Sequence, residues 1–163
     1  MQQGNPLQNG INMGPLARLD LAKKLRGQLE KSLQQGAKLV VGGEQNDCNF
    51  QPTLIDFVDS NNVAFQEETF GPLATIIRAK DENDAVAIAN NHRYGLASAI
   101  WSEDRVNAHR LSRKLEAGNV FVNSLVRSDS RIPFGGIKKS GYGRELSEIG
   151  IKEFMNMKSI IIE

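Results

Sequence analysis

The sequence has few cysteines, few aromatic residues and no long apolar run. Cys48 is the single cysteine among 163 residues, so no disulfide can form within the chain, and this favours the reducing cytoplasm. The longest apolar runs, such as Ile160–Ile162, fall far short of the ~20 residues of a membrane-spanning helix. The stretch Met1–Pro6 has neither the basic nor the apolar part of a secretory signal. We therefore expect a cytoplasmic protein with no membrane partner.

An excess of either charge is also absent. The 20 Lys and Arg residues balance 19 Asp and Glu residues, which gives a formal net charge of +1 and no reason to expect a nucleic-acid partner. His92 and His109 have no Cys, Asp or Glu at metal-ligand spacing, so we predict no metal site. No Gly-x-Gly-x-x-Gly or Walker pattern follows a predicted strand, which disfavours an unrelated nucleotide-binding protein.

The apolar content is sufficient for a core. With 163 residues, of which 40% are hydrophobic, a single globular domain is the expectation. Residues 1–14 are rich in Gly and Pro and predict an irregular lead-in. Residues 15–157 carry the periodic patterns of a folded domain. Residues 158–163 contain a β-branched run, Ser159–Ile162, which predicts a terminal strand able to join the sheet of a neighbouring subunit.

Strand and helix patterns alternate along the domain. A leucine stripe from Pro15 predicts a helix that Gly36 ends, and strands are predicted at residues 37–41, 52–58 and 74–79. Asp81 and Asp104 can cap two further helices, and strands are predicted at residues 96–101 and 119–123. This alternation predicts an α/β fold with a mostly parallel sheet and flanking helices. A long irregular loop, residues 124–143, is typical of a functional segment and precedes a helix predicted from Glu145 to Met157.

Three motifs carry a family resemblance: Glu67–Pro72, which reads Glu-Glu-Thr-Phe-Gly-Pro; Tyr94-Gly95-Leu96 with Trp101 beyond it; and Asn123 followed by Pro133–Glu145, which reads Pro-Phe-Gly-Gly-Ile-Lys-Lys-Ser-Gly-Tyr-Gly-Arg-Glu. In this order and spacing they resemble the C-terminal part of the catalytic domain of the aldehyde dehydrogenase superfamily. The resemblance runs from Gly14 to the end of the chain.

The resemblance implies a cofactor, NAD or NADP, and two residues that bind it. Glu68 corresponds to the glutamate that accepts hydrogen bonds from the nicotinamide ribose hydroxyls, and Phe70 to the phenylalanine that packs against the ribose and ring. The alternative from the residues alone is that Glu68 is a solvated surface carboxylate and Phe70 fills the core.

The resemblance also implies a substrate site. Phe134 is similar to the aromatic residue at the wall of the family's substrate tunnel, and the segment before it contributes Val126, Arg127, Ser128 and Arg131. An arginine fork matches a carboxylate, so this polar segment suits an aldehyde with a distal carboxylate. It resembles one branch of the succinate-semialdehyde dehydrogenases. In the alternative, both arginines pair with Asp129 or reach solvent.

The family's catalytic cysteine, its general-base glutamate and its Rossmann-type domain all correspond to positions before the matched region. Cys48 lies in a polar turn without a partner histidine, so we predict no catalytic residue in this chain and no activity of the chain alone. The expected partners are the missing N-terminal part of the enzyme, a small aldehyde and further copies in a homo-oligomer. The alternative is a free-standing, non-catalytic module that associates with a full-length homologue.

Overall fold

The computed structural model describes all residues 1–163, which form two compact units, Met1–Ala79 and Lys80–Glu163. The lead-in up to Arg18 is irregular apart from an isolated bridge between Gln3 and Met13. None of the helices is long and apolar enough to span a membrane.

The first unit begins with its longest helix, α1 (Leu19–Gln34). The predicted stripe buries Ala22, Leu25 and Leu29, which are at most 2% exposed. Asp20 in the first turn and Lys31 in the last complement the helix dipole. Gly36 has φ +102°, a left-handed conformation that glycine adopts readily, and this confirms the predicted helix end.

The sheet of the first unit has three strands. They are β1 (Lys38–Val41), β4 (Thr53–Asp56) and β5 (Leu73–Thr75), while β2 (Gln45–Asn46) and β3 (Asn49–Phe50) form a separate hairpin. The central strand β4 runs antiparallel to β1 and parallel to β5. A short helix, α2 (Val63–Gln66), lies between β4 and β5 in sequence. Phe50 and Ile55 are fully buried, so the core of this unit lies between α1 and the sheet.

The second unit repeats the helix-and-strand alternation. Its elements are α3 (Glu82–Asn90), β6 (Tyr94–Gly95), β7 (Ala97–Ile100), α4 (Arg105–Ser112), β8 (Asn119–Val122), β9 (Ile137–Lys138) and α5 (Ser147–Lys152). The side chains of Asp81 and Asp104 accept hydrogen bonds from backbone amides of the first turns of α3 and α4, which confirms both predicted caps. Strands β7 and β8 are parallel, and β6 pairs with β9 antiparallel.

Two details of the predicted fold are not confirmed in this chain. The strands form four small sheets, in which the pairs β4–β5 and β7–β8 are parallel and the pairs β1–β4, β2–β3 and β6–β9 are antiparallel. The terminal strand predicted at Ser159–Ile162 is not formed: residues 155–163 have no regular structure, and Ile160, Ile161 and Ile162 are at least 74% exposed. A strand requires a neighbour to satisfy its backbone groups, and no strand of this chain pairs with that segment.

Candidate functional site

The segment Glu67–Pro72 joins α2 to β5 in the first unit. Its start is fixed by Asn62, which is 1% exposed and caps α2 by accepting a hydrogen bond from the Ala64 amide at 3.0 Å. The Asn62 side chain also donates to the Ser32 carbonyl of α1 at 3.0 Å. The cap therefore ties the segment to the longest helix of the unit.

A second anchor is Gln28, a buried polar residue on the apolar face of α1. Its Nε2 donates to the Glu67 carboxylate at 2.9 Å and to the Glu68 carbonyl at 3.3 Å. The side chain is 6% exposed, so the two bonds satisfy a group whose burial would otherwise be costly. Gln28 therefore fixes the main chain at Glu68 and leaves the Glu68 carboxylate unoccupied.

The two predicted cofactor residues lie near each other on this segment. Glu68 is exposed, and its carboxylate makes no hydrogen bond or ion pair within the chain. Phe70 is 69% exposed, so it does not fill the core as the alternative required. A free carboxylate two residues from an open aromatic ring, both on an anchored main chain, is able to accept hydroxyl hydrogen bonds beside a flat apolar surface.

The predicted substrate segment lies in the second unit, after β8. Arg127 and Phe134 line one cavity of about 340 Å³, together with Asp129, Pro133 and the residues of β8. Phe134 is half-buried, whereas Arg127 is exposed and no hydrogen bond engages its side chain. The cavity thus combines a free guanidinium with an aromatic wall.

Arg131 lies on the same loop but in a different arrangement. Its guanidinium binds the Asp129 carboxylate through two bonds, Nε to Oδ1 at 2.9 Å and Nη2 to Oδ2 at 2.7 Å. These bonds from Arg131, with a smaller contribution from the charge of Arg127, hold the pKa of Asp129 well below its usual range. Since Asp129 occupies the Arg131 fork, Arg127 is the better candidate for a substrate carboxylate. Val126 and Ser128 are exposed and lie outside the lining of the cavity.

Two residues that hold the main chain at Glu68 and around Phe134 were not predicted. Gln28 supports Glu68, and Asn119, the first residue of β8, binds the main chain on both sides of Phe134. Gln28 left a visible signal, because an amide between Leu25 and Leu29 interrupts an apolar stripe. Asn119 left none, because its partners lie 14 and 16 residues further along a loop without periodicity.

Two charged side chains of the Pro133–Glu145 motif, those of Lys138 and Arg144, have structural partners. The Lys138 ammonium donates to the carbonyls of Asn90 at 2.7 Å and His92 at 3.2 Å, and it pairs with Glu116 at 2.6 Å. Arg144 donates to the carbonyls of Gly136 and Gly143. These bonds hold the loop together and leave neither side chain free to bind a phosphate.

Cys48 occupies the turn between β2 and β3 and is partly exposed. Its carbonyl accepts a hydrogen bond from the Leu16 amide at 2.8 Å. No group of three His, Cys, Asp or Glu side chains is arranged to hold a metal ion. The first unit, which contains Cys48, has no histidine that could activate a nucleophile.

The family model described as the aldehyde dehydrogenase family matches residues 1–160. The chain belongs to the aldehyde dehydrogenase family. All three motifs that carry the resemblance lie within the matched residues.

Curated relatives within the family include succinate-semialdehyde dehydrogenases. A protein of Escherichia coli (strain K12) named succinate semialdehyde dehydrogenase NAD(P)+ Sad is 42% identical over 163 residues, covering 98% of this chain and 35% of the relative. The Deinococcus radiodurans succinate-semialdehyde dehydrogenase NADP(+) is 39% identical over 160 residues, covering 96% of this chain and 34% of the relative. The chain therefore spans about a third of the length of the curated relatives it matches.

Solved structures of family members share the fold. The crystal structure of succinic semialdehyde dehydrogenase from Streptococcus pyogenes in complex with NADP+ has a TM-score of 0.94 and 36% identity, covering 99% of this chain and 36% of that one. A betaine aldehyde dehydrogenase from Staphylococcus aureus in complex with NAD+ has a TM-score of 0.89 and 34% identity, covering 94% of this chain and 32% of that one. The α/β arrangement of the chain is thus that of a segment of the family fold.

Proposed function

We propose that residues 1–163 form the C-terminal part of an NAD(P)-dependent aldehyde dehydrogenase that oxidises succinate semialdehyde to the carboxylic acid through a cysteine thioester. Family membership supports the reaction class. Relatives named for succinate semialdehyde support the substrate. The observation that carries the proposal is the cavity in which the free guanidinium of Arg127 lies with Phe134.

Glu68 and Phe70 are proposed to hold the nicotinamide half of the cofactor. The exposed carboxylate of Glu68 is available to accept hydrogen bonds from ribose hydroxyls, and the open face of Phe70 suits a planar ring. When bound, NAD or NADP accepts the hydride that leaves the substrate carbon. The role of the protein in this part is to orient the ring, and Gln28 contributes by fixing the main chain at Glu68.

Arg127 is proposed to bind the distal carboxylate of the substrate. Its guanidinium is uncommitted, in contrast to that of Arg131, and a carboxylate can accept two parallel hydrogen bonds from it. Phe134 would flank the aliphatic part of the aldehyde. Val126, Ser128 and Arg131 then shape the surrounding loop instead of contacting the carboxylate.

The nucleophile and the general base are proposed to come from protein outside residues 1–163. Cys48 lacks a histidine neighbour, and its turn is separated from Glu68 by β4 and α2 in the sequence. The isolated chain is accordingly expected to be inactive. The predicted division into 1–14, 15–157 and 158–163 and the cytoplasmic location remain proposals for the longer enzyme.

The test joins residues 1–163 to the N-terminal two-thirds of the Escherichia coli relative, in place of the part that the chain matches. We expect this chimera to reduce NAD(P)+ when succinate semialdehyde is added. The 163-residue chain alone should not reduce NAD(P)+. Arg127→Ala in the chimera should lower kcat/KM about 10- to 100-fold, since hydrogen bonds to charged groups are worth roughly 1.5–3 kcal/mol. Activity of the isolated chain that disappears in Cys48→Ser would overturn the placement of the nucleophile.

Two controls separate the carboxylate contact from general damage. Butanal has the same carbon count as succinate semialdehyde but no carboxylate, so its kcat/KM should be unaffected by Arg127→Ala. Arg131→Ala removes a guanidinium that Asp129 already occupies and should change the preference for succinate semialdehyde less. An unchanged preference in Arg127→Ala would exclude our assignment of the substrate.

The longer enzyme is also proposed to supply neighbouring strands for the small sheets of this chain. Further strands would extend the parallel pair β4–β5 in the first unit, and likewise the parallel pair β7–β8 in the second, so that parallel pairing would predominate. The exposed segment Ser159–Ile162 would pair with a strand of another subunit in a homo-oligomer. In the alternative, a non-catalytic module, the same segment would dock on a full-length homologue; an inactive chimera that still binds the intact relative would favour that alternative.

A further inference from the structure

Asn119 holds the turn that carries Phe134. Its Nδ2 donates to the Pro133 carbonyl at 2.9 Å, and its Oδ1 accepts from the Gly135 amide at 3.1 Å. We propose that Asn119 is the positioning residue for Phe134 and thereby sets the affinity of the cavity for the aldehyde. This inference rests on the proposed function for its effect on catalysis, but its structural part can be tested without catalysis.

The amide side chain is well suited to this task. The Pro133 carbonyl only accepts hydrogen bonds and the Gly135 N–H only donates, so the side chain between them must donate to one and accept from the other. An asparagine amide does both with two atoms in a fixed plane. Replacing it by alanine leaves both backbone groups without their partner.

The opposite side of the turn is held by Glu145. The Phe134 amide donates to the Glu145 carbonyl at 2.9 Å, and the Glu145 amide donates to the Phe134 carbonyl at 2.8 Å. The first residue before β8 also approaches closely: a Cβ at Gly118 would lie 1.7 Å from the Gly135 carbonyl oxygen. The peptide groups around Phe134 are therefore held from two sides, by the Glu145 backbone and by the Asn119 side chain, which binds the main chain before and after Phe134.

The position of the Phe134 ring depends on these backbone bonds more than on packing. Phe134 is half-buried, so the core does not enclose its ring. Asn119 and Phe134 both line the cavity of about 340 Å³ that also contains Arg127. Releasing the turn would let the ring move relative to Arg127, and a site misplaced by about 1 Å loses much of its binding and catalytic advantage.

Asn90 provides a matched control in the same unit. Its Nδ2 donates to the Lys114 carbonyl at 2.8 Å, and its Oδ1 accepts from the Glu116 amide at 2.8 Å. The chemistry equals that of Asn119, but the bonds join the end of α3 to the segment after α4. Asn90 does not line the cavity that contains Phe134. Asn90→Ala therefore removes the same two bonds without touching the Phe134 turn.

The catalytic arm compares Asn119→Ala and Asn90→Ala in the chimera described above. We expect Asn119→Ala to raise KM for succinate semialdehyde about tenfold, because both hydrogen bonds that hold the main chain around Phe134 are lost, with kcat changed less than about threefold. Asn90→Ala should leave KM within about twofold of the wild type. Equal increases in the two variants would overturn the inference, because they would show general destabilisation.

The structural arm uses the 163-residue chain and measures amide hydrogen exchange. Asn119→Ala should speed exchange at Gly135 at least tenfold and leave Glu116 unchanged, and Asn90→Ala should do the reverse. Unaltered Gly135 exchange in Asn119→Ala contradicts the inference even if the chimera is active. An inactive wild-type chimera contradicts the proposed function. Amide exchange in the 163-residue chain then still tests whether Asn119 positions Phe134.

Discussion

The two units of the chain bury their residues very differently. Every side chain of the apolar core except Ala108 belongs to the first unit, and so do the buried polar residues Gln28, Ser32, Thr53, Asp56 and Asn62. In the second unit, α3 has no buried residue and the strand β8 is only partly covered. The first unit therefore has a core of its own, whereas the second is held largely by caps, backbone ladders and the side chains of Asn90, Asn119 and Lys138.

This difference indicates where the chain depends on further protein. Large apolar side chains such as Trp101, Leu125, Ile151 and Phe154 are 63–93% exposed in the second unit. Exposure of this kind marks surfaces that pack against other protein. It agrees with the proposal that the chain is about a third of a longer enzyme. The cavity proposed to bind the substrate lies in the less covered unit, where Asn119 and backbone hydrogen bonds hold the main chain around Phe134.

The largest expected effect is the loss of the core ring in the first unit. Phe50 is fully buried, so Phe50→Ala should lower the free energy of unfolding of that unit by about 3–5 kcal/mol. Denaturant dependence of amide exchange in β4 measures this value. Phe154→Ala is the matched control, because Phe154 is 93% exposed and its loss should cost less than about 0.5 kcal/mol. Similar costs for the two variants would break the comparison between the units.

Smaller effects are expected from two glycine substitutions that should change the free energy of unfolding in opposite directions. Gly118→Ala places a Cβ against the Gly135 carbonyl and should cost at least about 1–3 kcal/mol in the second unit. Gly27→Ala lies in α1 with no atom within 4 Å of the added Cβ, and it should stabilise the first unit by about 0.5–1 kcal/mol. Thermal unfolding of both variants measures the difference. A stabilising Gly118→Ala would show that β8 and the Phe134 turn are not in close contact.

The smallest effect concerns the acid dependence of the first unit. Hydrogen bonding from Arg78, followed by that from the Phe57 amide, holds the pKa of Asp56 below its usual value. A carboxyl with a depressed folded-state pKa contributes stability that is complete above the unfolded value of about 3.9 and is lost as the pH falls through the folded value. Asp56→Asn should therefore flatten the loss of stability of the first unit below about pH 4, as followed by unfolding at several pH values.

Arg78→Ala tests the cause of that acid dependence. It removes the cation that forms the ion pair with Asp56, so it should flatten the same part of the pH profile. Combining it with Asp56→Asn should add little, because both changes remove one interaction. Additive effects of the two substitutions would show that the pair is not the source of the acid dependence.

Local signals in the sequence predicted the local structure. The stripe of α1, the turn at Gly36 and the Asp81 and Asp104 caps depend on residues a few positions apart, so a single sequence contains them. The helix predicted over residues 145–157 forms only over Ser147–Lys152. It begins late because Leu146 and Ser147 both have positive φ, which periodicity does not reveal. The terminal isoleucines show strand propensity, but a strand also needs a partner.

The site was predicted unevenly for the same reason. Glu68, Phe70, Arg127 and Phe134 could be proposed from the sequence because motif resemblance names residues one by one. The sequence does not distinguish Arg127 from Arg131 as the carboxylate-binding residue, because the choice depends on which guanidinium binds Asp129. Gln28 binds Glu67, 39 positions away, and Asn119 binds Gly135, 16 positions away. Such pairings follow from the fold and not from local sequence.

The positions of Cys48 and Trp101 give each unit a reporter of its own. The single thiol lies in the β2–β3 turn of the first unit, and the single indole, 63% exposed, follows β7 in the second. Thiol labelling therefore reports opening of the first unit, and indole fluorescence reports disruption of the second. Because the natural chain contains one of each, the order in which the two units melt can be followed without adding a probe residue.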